Sequence, residues 1–426
     1  MKTKSPLRAL GQKVGLDLEY FLPSGLWVAG RYILLGVLSL LISIAFARLG
    51  TAELYGQYQF ALAVVSLLSV LTIPGLNTVT LIAVAKGLPK VLIGATRICF
   101  QAGWLVSALV AILGIYYLSA NDQSGVGWSL IGASALLPFF YGPNGWYTYY
   151  EGQRDFRSTT KRILLANGLV AAVLLFGLWQ DWPLPALVIS YFLVNAASTV
   201  YFYQEVRKKI DDDRSVPVDV KAGVLFTLQK SSSSLPDTVQ PLVVSSLYGF
   251  STLGIFMIAY TLVNSAAGLI SALAATYLPL LLKYKKLLHG KIVVQNLGLG
   301  ILLAAAYLLF VTVLFVPLYG TRFLDSFHLA QYFSGAVALM PLKQYFTSYF
   351  TAYGLPGLVI RANLISYALA LAVFLLIGTI SAFGSFVSYY VALQLAAVLI
   401  LGTAYYRRVR GDLSGVATAS RKTSSI

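Results

Sequence analysis

Acidic side chains are scarce: 15 Asp and Glu stand against 31 Lys and Arg, and charged residues of both signs make up only 11% of the 426 positions. So few charges would not keep the surface of a soluble domain in water. Cysteine occurs once, as Cys99, which excludes an internal disulfide framework, a CxxC redox pair and a cysteine metal site. The two histidines, His289 and His328, fall near expected helix ends, where a solvated interfacial role fits them. HExxH, GxSxG and P-loop patterns are missing, so neither a zinc peptidase nor an ATPase is supported, and no cofactor is expected. Residues 1–20 hold no short apolar core ahead of a small-residue cleavage site, so no removable signal peptide is expected.

What fills the chain instead is apolar: 58% of the residues are hydrophobic, and the mean hydropathy is +0.77. Long apolar runs separated by short basic clusters define an all-α polytopic membrane protein. Twelve spans are expected near residues 26–48, 57–85, 91–118, 127–149, 160–179, 183–204, 222–248, 252–282, 292–317, 328–352, 357–380 and 383–405. Backbone groups in lipid must be satisfied within each segment, so these are helices. A β-barrel would alternate over about ten residues, and runs such as LLGVLSLLISIAFA (34–47) show no alternation.

Charge then gives direction. Even-numbered connections and both tails hold most of the 31 Lys and Arg. Among them are Lys2, Lys4, Arg8 and Lys13 at the start, and Arg154, Arg157, Lys161 and Arg162 after the fourth span. Arg207, Lys208, Lys209, Arg214 and Lys221 follow the sixth, and Lys283, Lys285, Lys286 and Lys291 the eighth. Arg407, Arg408, Arg410, Arg421 and Lys422 lie in the tail. Odd-numbered connections hold Arg48 and Arg322 against Glu53, Asp122, Asp181 and Asp325. The positive-inside rule therefore places the even connections and both termini on the cytoplasmic side of the membrane. The basic excess is topogenic, and no nucleic-acid partner is implied.

The longest hydrophilic connection divides the chain into a six-helix bundle over 1–206, a loop over 207–221 and a second bundle over 222–410. The small, polar tail over 411–426 is expected to be disordered. ARLGTAELYGQYQFAL (47–62) in the first hairpin is matched by SSLYGFSTLGIFMIAY (245–260) in the second half. Gly50, Gly56, Tyr58 and Ala61 correspond to Gly249, Gly254, Phe256 and Ala259. The spacing of the glycines suggests tight turns at the membrane surface, and their repetition suggests a 6+6 repeat about an axis along the membrane normal.

Both the first hairpin and YYEGQRDFRSTTKRILLANGL (149–169) resemble polysaccharide-transporter proteins. These are the O-antigen flippase (Wzx-like) branch of the multidrug/oligosaccharidyl-lipid/polysaccharide (MOP) exporter superfamily. The 6+6 layout and chain length agree with it. The second-half counterpart, TAYGLPGLVIRANL (351–364), is shorter and less basic. The resemblance implies two six-helix bundles around a central cationic cavity, and alternating-access transport of undecaprenyl-pyrophosphate-linked oligosaccharide. Other polysaccharide-assembly membrane proteins would be its partners, besides the lipid bilayer.

Ionisable groups deep in spans are costly, and so are functional candidates. They are Arg31 in the first span, Lys230 and Asp237 in the seventh, and Lys343 in the tenth. Arg97 and Arg361 lie close enough to helix ends for their stems to reach the headgroups. Three cations against one acid suit an anionic cargo such as a pyrophosphate, so Arg31, Lys230 and Lys343 are the expected substrate-binding residues. Asn77, Asn264 and Gln344 are candidate polar companions, although interhelical packing is the commoner explanation for each. Asp237 is the expected site of H+ or Na+ coupling, as in an antiporter, or else a counter-charge for the lysines. The segment QKSSSSLPDTVQ (229–240) is too polar to face lipid, and Pro236 and Pro241 suggest a bend there. The aromatic run FFYGPNGWYTYY (139–150) is expected to form a belt at the cytoplasmic interface. Rival readings are a small-molecule exporter of the same architecture and a membrane glycan polymerase or ligase. The short outer connections offer the latter no catalytic constellation.

Overall fold

The computed structural model describes residues 18–120, 123–210, 216–274, 289–353, 355–378 and 382–423. Lys2, Lys4, Arg8, Lys13, Asp122, Arg214, Lys283, Lys285 and Lys286 lie outside the described residues, as do the side chains of His289, Lys291, Arg410, Arg421 and Lys422. Among the described residues there are fifteen α-helices and no strand. Nine helices are long and apolar enough to cross a membrane, or ten if one bent pair counts as a single span. This is a multi-pass membrane protein. The expected segments are helical where they are described, apart from short breaks such as those inside the second, at residues 73–75, and the fourth, at 135–136 and 142. The lower count arises because two of them run together in one long helix, and because the segment near 328–352 is comparatively polar.

The first part comprises α1 (Leu18–Leu49), α2 (Ala52–Leu68), α3 (Leu76–Ala85), α4 (Val91–Ala120), α5 (Ser124–Ser134) and α6 (Leu137–Tyr141). It continues with α7 (Tyr147–Gly152), α8 (Phe156–Trp179), α9 (Leu184–Arg207) and α10 (Val220–Ala274). Caps set several of the starts. Thr51 accepts from the Leu54 N–H at the head of α2, and Asp155 from the Ser158 N–H at the head of α8. Each satisfies one of the donors a helix start leaves open.

The second expected span is broken. After a 3-10 turn over Ser69–Thr72, Ile73 takes a left-handed conformation (φ 56°), and Pro74 and Gly75 follow. The Gly75 N–H donates to Thr227 Oγ1 on α10 at 2.9 Å. A Cβ on Gly75 would stand 2.1 Å from the Gly223 carbonyl oxygen. The break is thus where the α10 backbone seats, and α10 supplies the acceptor for one backbone donor there.

The fourth expected span is bent by 53° between α5 and α7, in a stretch carrying Pro138, Gly142 and Pro143. The aromatic run here does not form the expected belt. Trp146, Tyr149 and Tyr150 are buried with Leu92, Phe202 and Val206. Beyond the bend these rings turn inward onto α4 and α9, whereas Phe139 remains exposed.

Within α10 the one residue with non-helical angles is Gly249 (φ 80°, ψ 174°), rather than Pro236 or Pro241. A single left-handed residue, which glycine tolerates best, therefore joins the seventh and eighth spans. Gly249 is the only one of the four repeat glycines with positive φ, so the expectation of turns is right there and wrong for Gly56 and Gly254. Those two sit inside helices where α2 crosses the second limb of α10. A Cβ on Gly56 would lie 1.9 Å from the Phe250 carbonyl oxygen, and one on Gly254 1.8 Å from that of Ala52. Small residues at this spacing let backbones touch. Beside the crossing, the Tyr55 hydroxyl is 3.1 Å from Thr261 Oγ1, and Phe60 packs edge-on against Phe250.

By packing, the chain forms two compact units, Met1–Thr261 and Leu262–Ile426. The division falls within α10, beyond the hydrophilic connection over 207–221. The contacts at Gly75, Gly56 and Gly254 hold residues 220–261 against the helices before that connection. The second unit contains α11 (His289–Tyr319), α12 (Leu324–Tyr332), α13 (Ser334–Ala352), α14 (Pro356–Gly378) and α15 (Ala382–Thr423). α13 and α15 share a core of Tyr345, Phe346, Tyr349, Phe350, Leu401 and Tyr405. α15 runs through most of the tail that was expected to be disordered, a stretch whose Ala, Leu, Arg and Lys are good helix formers.

Candidate functional site

Arg31 lies about 9 Å along α1 from the start of its span, which opens at Gly25. Its Nη1 donates to Glu151 Oε1 at 2.8 Å, and each side chain is 14% exposed. The pair joins positions 120 residues apart. α3 and α7 pack together, with Gly152 so close to Val84 that a Cβ would lie 2.7 Å from it. That contact fixes the end of α7 and delivers Glu151 to α1. Tyr147, one turn earlier on α7, faces Glu151, Asn77 and Arg31. Asn77 in turn fits under Gly145, where a Cβ would approach its Oδ1 to 2.9 Å. Arg31 and Asn77, both picked out in the sequence, thus share one polar cluster in the first unit. Its acid, Glu151, was missed because it follows the aromatic run and reads as part of the basic connection.

The second feature is one face of α10. Lys230, Ser233, Ser234 and Asp237 are all exposed, and their spacing of three, four and seven places them along one stripe. Both serine hydroxyls return to the Lys230 carbonyl, so the stripe costs the helix no unpaired hydroxyl. On the opposite limb, Tyr260 donates to Asp237. The two residues lie twelve and eleven positions from Gly249, hence at nearly equal depths of about 17 Å below the turn. Asp237 is therefore held by a phenol and not by Lys230, as the distance along the helix anticipates.

A third cluster is structural. Arg162 grips Glu205 through Nε (3.0 Å to Oε2) and Nη2 (2.6 Å to Oε1), while Lys209 and the Tyr150 hydroxyl also donate to Oε1. The Tyr150 hydroxyl beside Lys209 raises that ammonium above its ordinary value. Partial burial pushes the nearby Asp155 up, but bonds from Ser158 and the charges of Arg162 and Lys209 outweigh it and leave the carboxyl lowered.

In the second unit Lys343 and Gln344 are half-buried on α13, whereas Asn264 is exposed. Arg97, Arg361 and His328 are exposed as well. Among the described residues no group of three or more His, Cys, Asp and Glu is placed to hold a metal ion.

No protein-family model matches the chain, and no curated protein does. Solved structures do. The chain matches the lipid II flippase MurJ in an inward closed conformation with a TM-score of 0.72, covering 89% of this chain and 87% of that one at 12% identity. The fold is that of the MOP exporters. An inward-facing MATE-family multidrug-resistance transporter of that superfamily gives a TM-score of 0.65 over 88% of this chain and 94% of its own, at 12% identity. A MOP superfamily transporter from Pyrococcus furiosus matches at 0.65, over 90% and 95%, also at 12% identity. The three structures that share this architecture here are of transporters and a flippase.

Proposed function

We propose that the chain is a flippase that moves an undecaprenyl-pyrophosphate-linked oligosaccharide across the bacterial inner membrane by alternating access, with both termini in the cytoplasm. The exposed stripe Lys230–Ser233–Ser234–Asp237 on α10 carries the reading. At bilayer depth an exposed polar face cannot meet lipid. It lines water, and a polar cargo needs such a path. Arg31 supplies a guanidinium suited to a phosphate oxygen, with Asn77 and Tyr147 beside it, and Lys230 adds a point charge; Lys343 is proposed, by itself, as a cargo-binding cation of the second unit. Asp237 is the proposed coupling acid for H+ or Na+. Proteoliposomes with a labelled polyprenyl-pyrophosphate oligosaccharide test the proposal. Cargo should reach the opposite leaflet, and should fail to do so with Arg31→Gln or Lys230→Ala protein of normal yield. No movement of several such glycans by folded protein rejects it.

A second reading, export of small neutral or zwitterionic molecules, is favoured by the charge count. In the first unit Arg31 and Lys230 are matched by Glu151 and Asp237, a more even balance than the sequence suggests. Stabilisation of the purified protein by such compounds, and not by lipid-linked sugars, would favour it.

A further inference from the structure

The arginine–carboxylate pairs Arg31–Glu151 and Arg162–Glu205 of the first unit are built differently. Glu205 receives four bonds: two from Arg162, one from Lys209 and one from Tyr150. Glu151 receives one, from a single Arg31 nitrogen. The first is a clamp and the second a loose hold. Arg31 keeps four of its five N–H donors for other acceptors, and the second Glu151 oxygen has no bond to the described protein. Both side chains are partly exposed, so an incoming molecule can reach them. The end of α7 is pinned by the Gly152–Val84 contact, so separation requires only that the Glu151 side chain swing about its own torsions.

We infer that Glu151 is a tethered substitute for a cargo anion: it neutralises Arg31 while the site is empty, and gives way to a phosphate or pyrophosphate group. The inference rests on reading Arg31 as part of the anion site. Chemistry supports the exchange. A guanidinium in a membrane needs a counter-charge at all times. A phosphate offers more acceptor oxygens than a carboxylate, and the planar guanidinium fork can take two of them at once. A doubly charged group and the Glu151 carboxylate repel each other at one guanidinium, so occupancy by one expels the other. Arrival of cargo would thereby free a carboxylate on α7, a local change that differs between loaded and empty protein.

Inorganic pyrophosphate is the probe, titrated against full-length protein in phosphatidylcholine nanodiscs and read by the shift in thermal midpoint. Glu151→Gln removes the competing charge while keeping an acceptor, and should tighten pyrophosphate binding by about ten-fold, roughly one charge-assisted hydrogen bond. Arg31→Gln should abolish binding, and the double variant should match it. Glu205→Gln should lower the midpoint without improving binding. Repeating the titration with phosphatidylglycerol identifies the source of the competing anion. Pyrophosphate binding that stays weaker there when salt screens the anionic surface shows lipid phosphate exchanging with Glu151, and binding restored to its phosphatidylcholine value reserves the site for cargo. Binding by Glu151→Gln that is unchanged or weaker, in protein whose midpoint shows it folded, overturns the inference, as does no pyrophosphate binding by any variant in either lipid. Tightened binding without transport of lipid-linked sugar keeps the exchange and rejects the flippase.

Discussion

Tyr260 donates its phenolic hydrogen bond to Asp237 across the hairpin that turns at Gly249, and so ties the seventh span to the eighth midway along. Removing the donor and removing the charge should have separable effects. Tyr260→Phe is expected to lower the thermal midpoint, at a cost of about 1–2 kcal/mol for a bond to a charged group. Asp237→Asn keeps an acceptor and should leave stability nearly unchanged, while transport in proteoliposomes stops responding to an imposed ion gradient. A gradient response that survives Asp237→Asn would remove Asp237 from coupling.

The glycine crossing gives a paired prediction. Gly56→Ala and Gly254→Ala each place a methyl less than 2 Å from a carbonyl oxygen of the opposing helix. Each should cost about 2 kcal/mol or more, the scale of overpacking a tight contact, and the two losses should be similar. Gly168→Ala in α8 meets no atom within 4 Å and should be neutral, or stabilising by up to about 1 kcal/mol through helix propensity. Unfolding in detergent checks all three.

Water along α10 is testable by labelling. Cysteine at Ser233 or Ser234 should react with a membrane-impermeant maleimide, while cysteine at Leu225 or Leu228 should not. Those two leucines are also exposed, but being apolar they suit lipid. Cys99 is buried and should stay silent. Equal labelling at all four positions would dismiss the water-lined face.

Acid should weaken the start of α8. The Asp155 carboxyl is lowered by folding, so its contribution is present above the unfolded value, about 3.9, and fades as pH falls through the folded one. Asp155→Ala should cost about 1 kcal/mol at neutral pH, as loss of a helix cap does. The gap to the wild type should narrow below about pH 4 in paired melts.

Much of this was legible from apolar run length alone. Spans such as 160–179 and 183–204 reappear as α8 and α9 with little change at their ends. Hydropathy does not say which apolar side faces lipid and which faces protein, so Trp146 and Tyr150 read as interfacial when they are core. Gly56 and Gly249 are the same residue type in one repeated pattern. Only the helix across from Gly56 explains it, and no local signal records that neighbour. Glu151 was hidden for a similar reason: it stands two residues beyond the expected span end at 149, and only the approach of α7 to α1 draws it to Arg31. Asn77 and Arg31 were found because polar groups in apolar runs are conspicuous.

The crossing at Gly56 has a consequence for how such a chain is built. Gly56 meets the carbonyl four residues before Gly254, and Gly254 meets the carbonyl four residues before Gly56. That reciprocity is the signature of a self-complementary contact, the kind two copies of one polypeptide make about a two-fold axis. A six-helix ancestor with a single such face would already have possessed both sides of the joint. Joining two such faces in one chain would need only a tether, and the hydrophilic stretch over 207–219 has that character. Two polypeptides separated there, made together in one cell, should find each other by the same face.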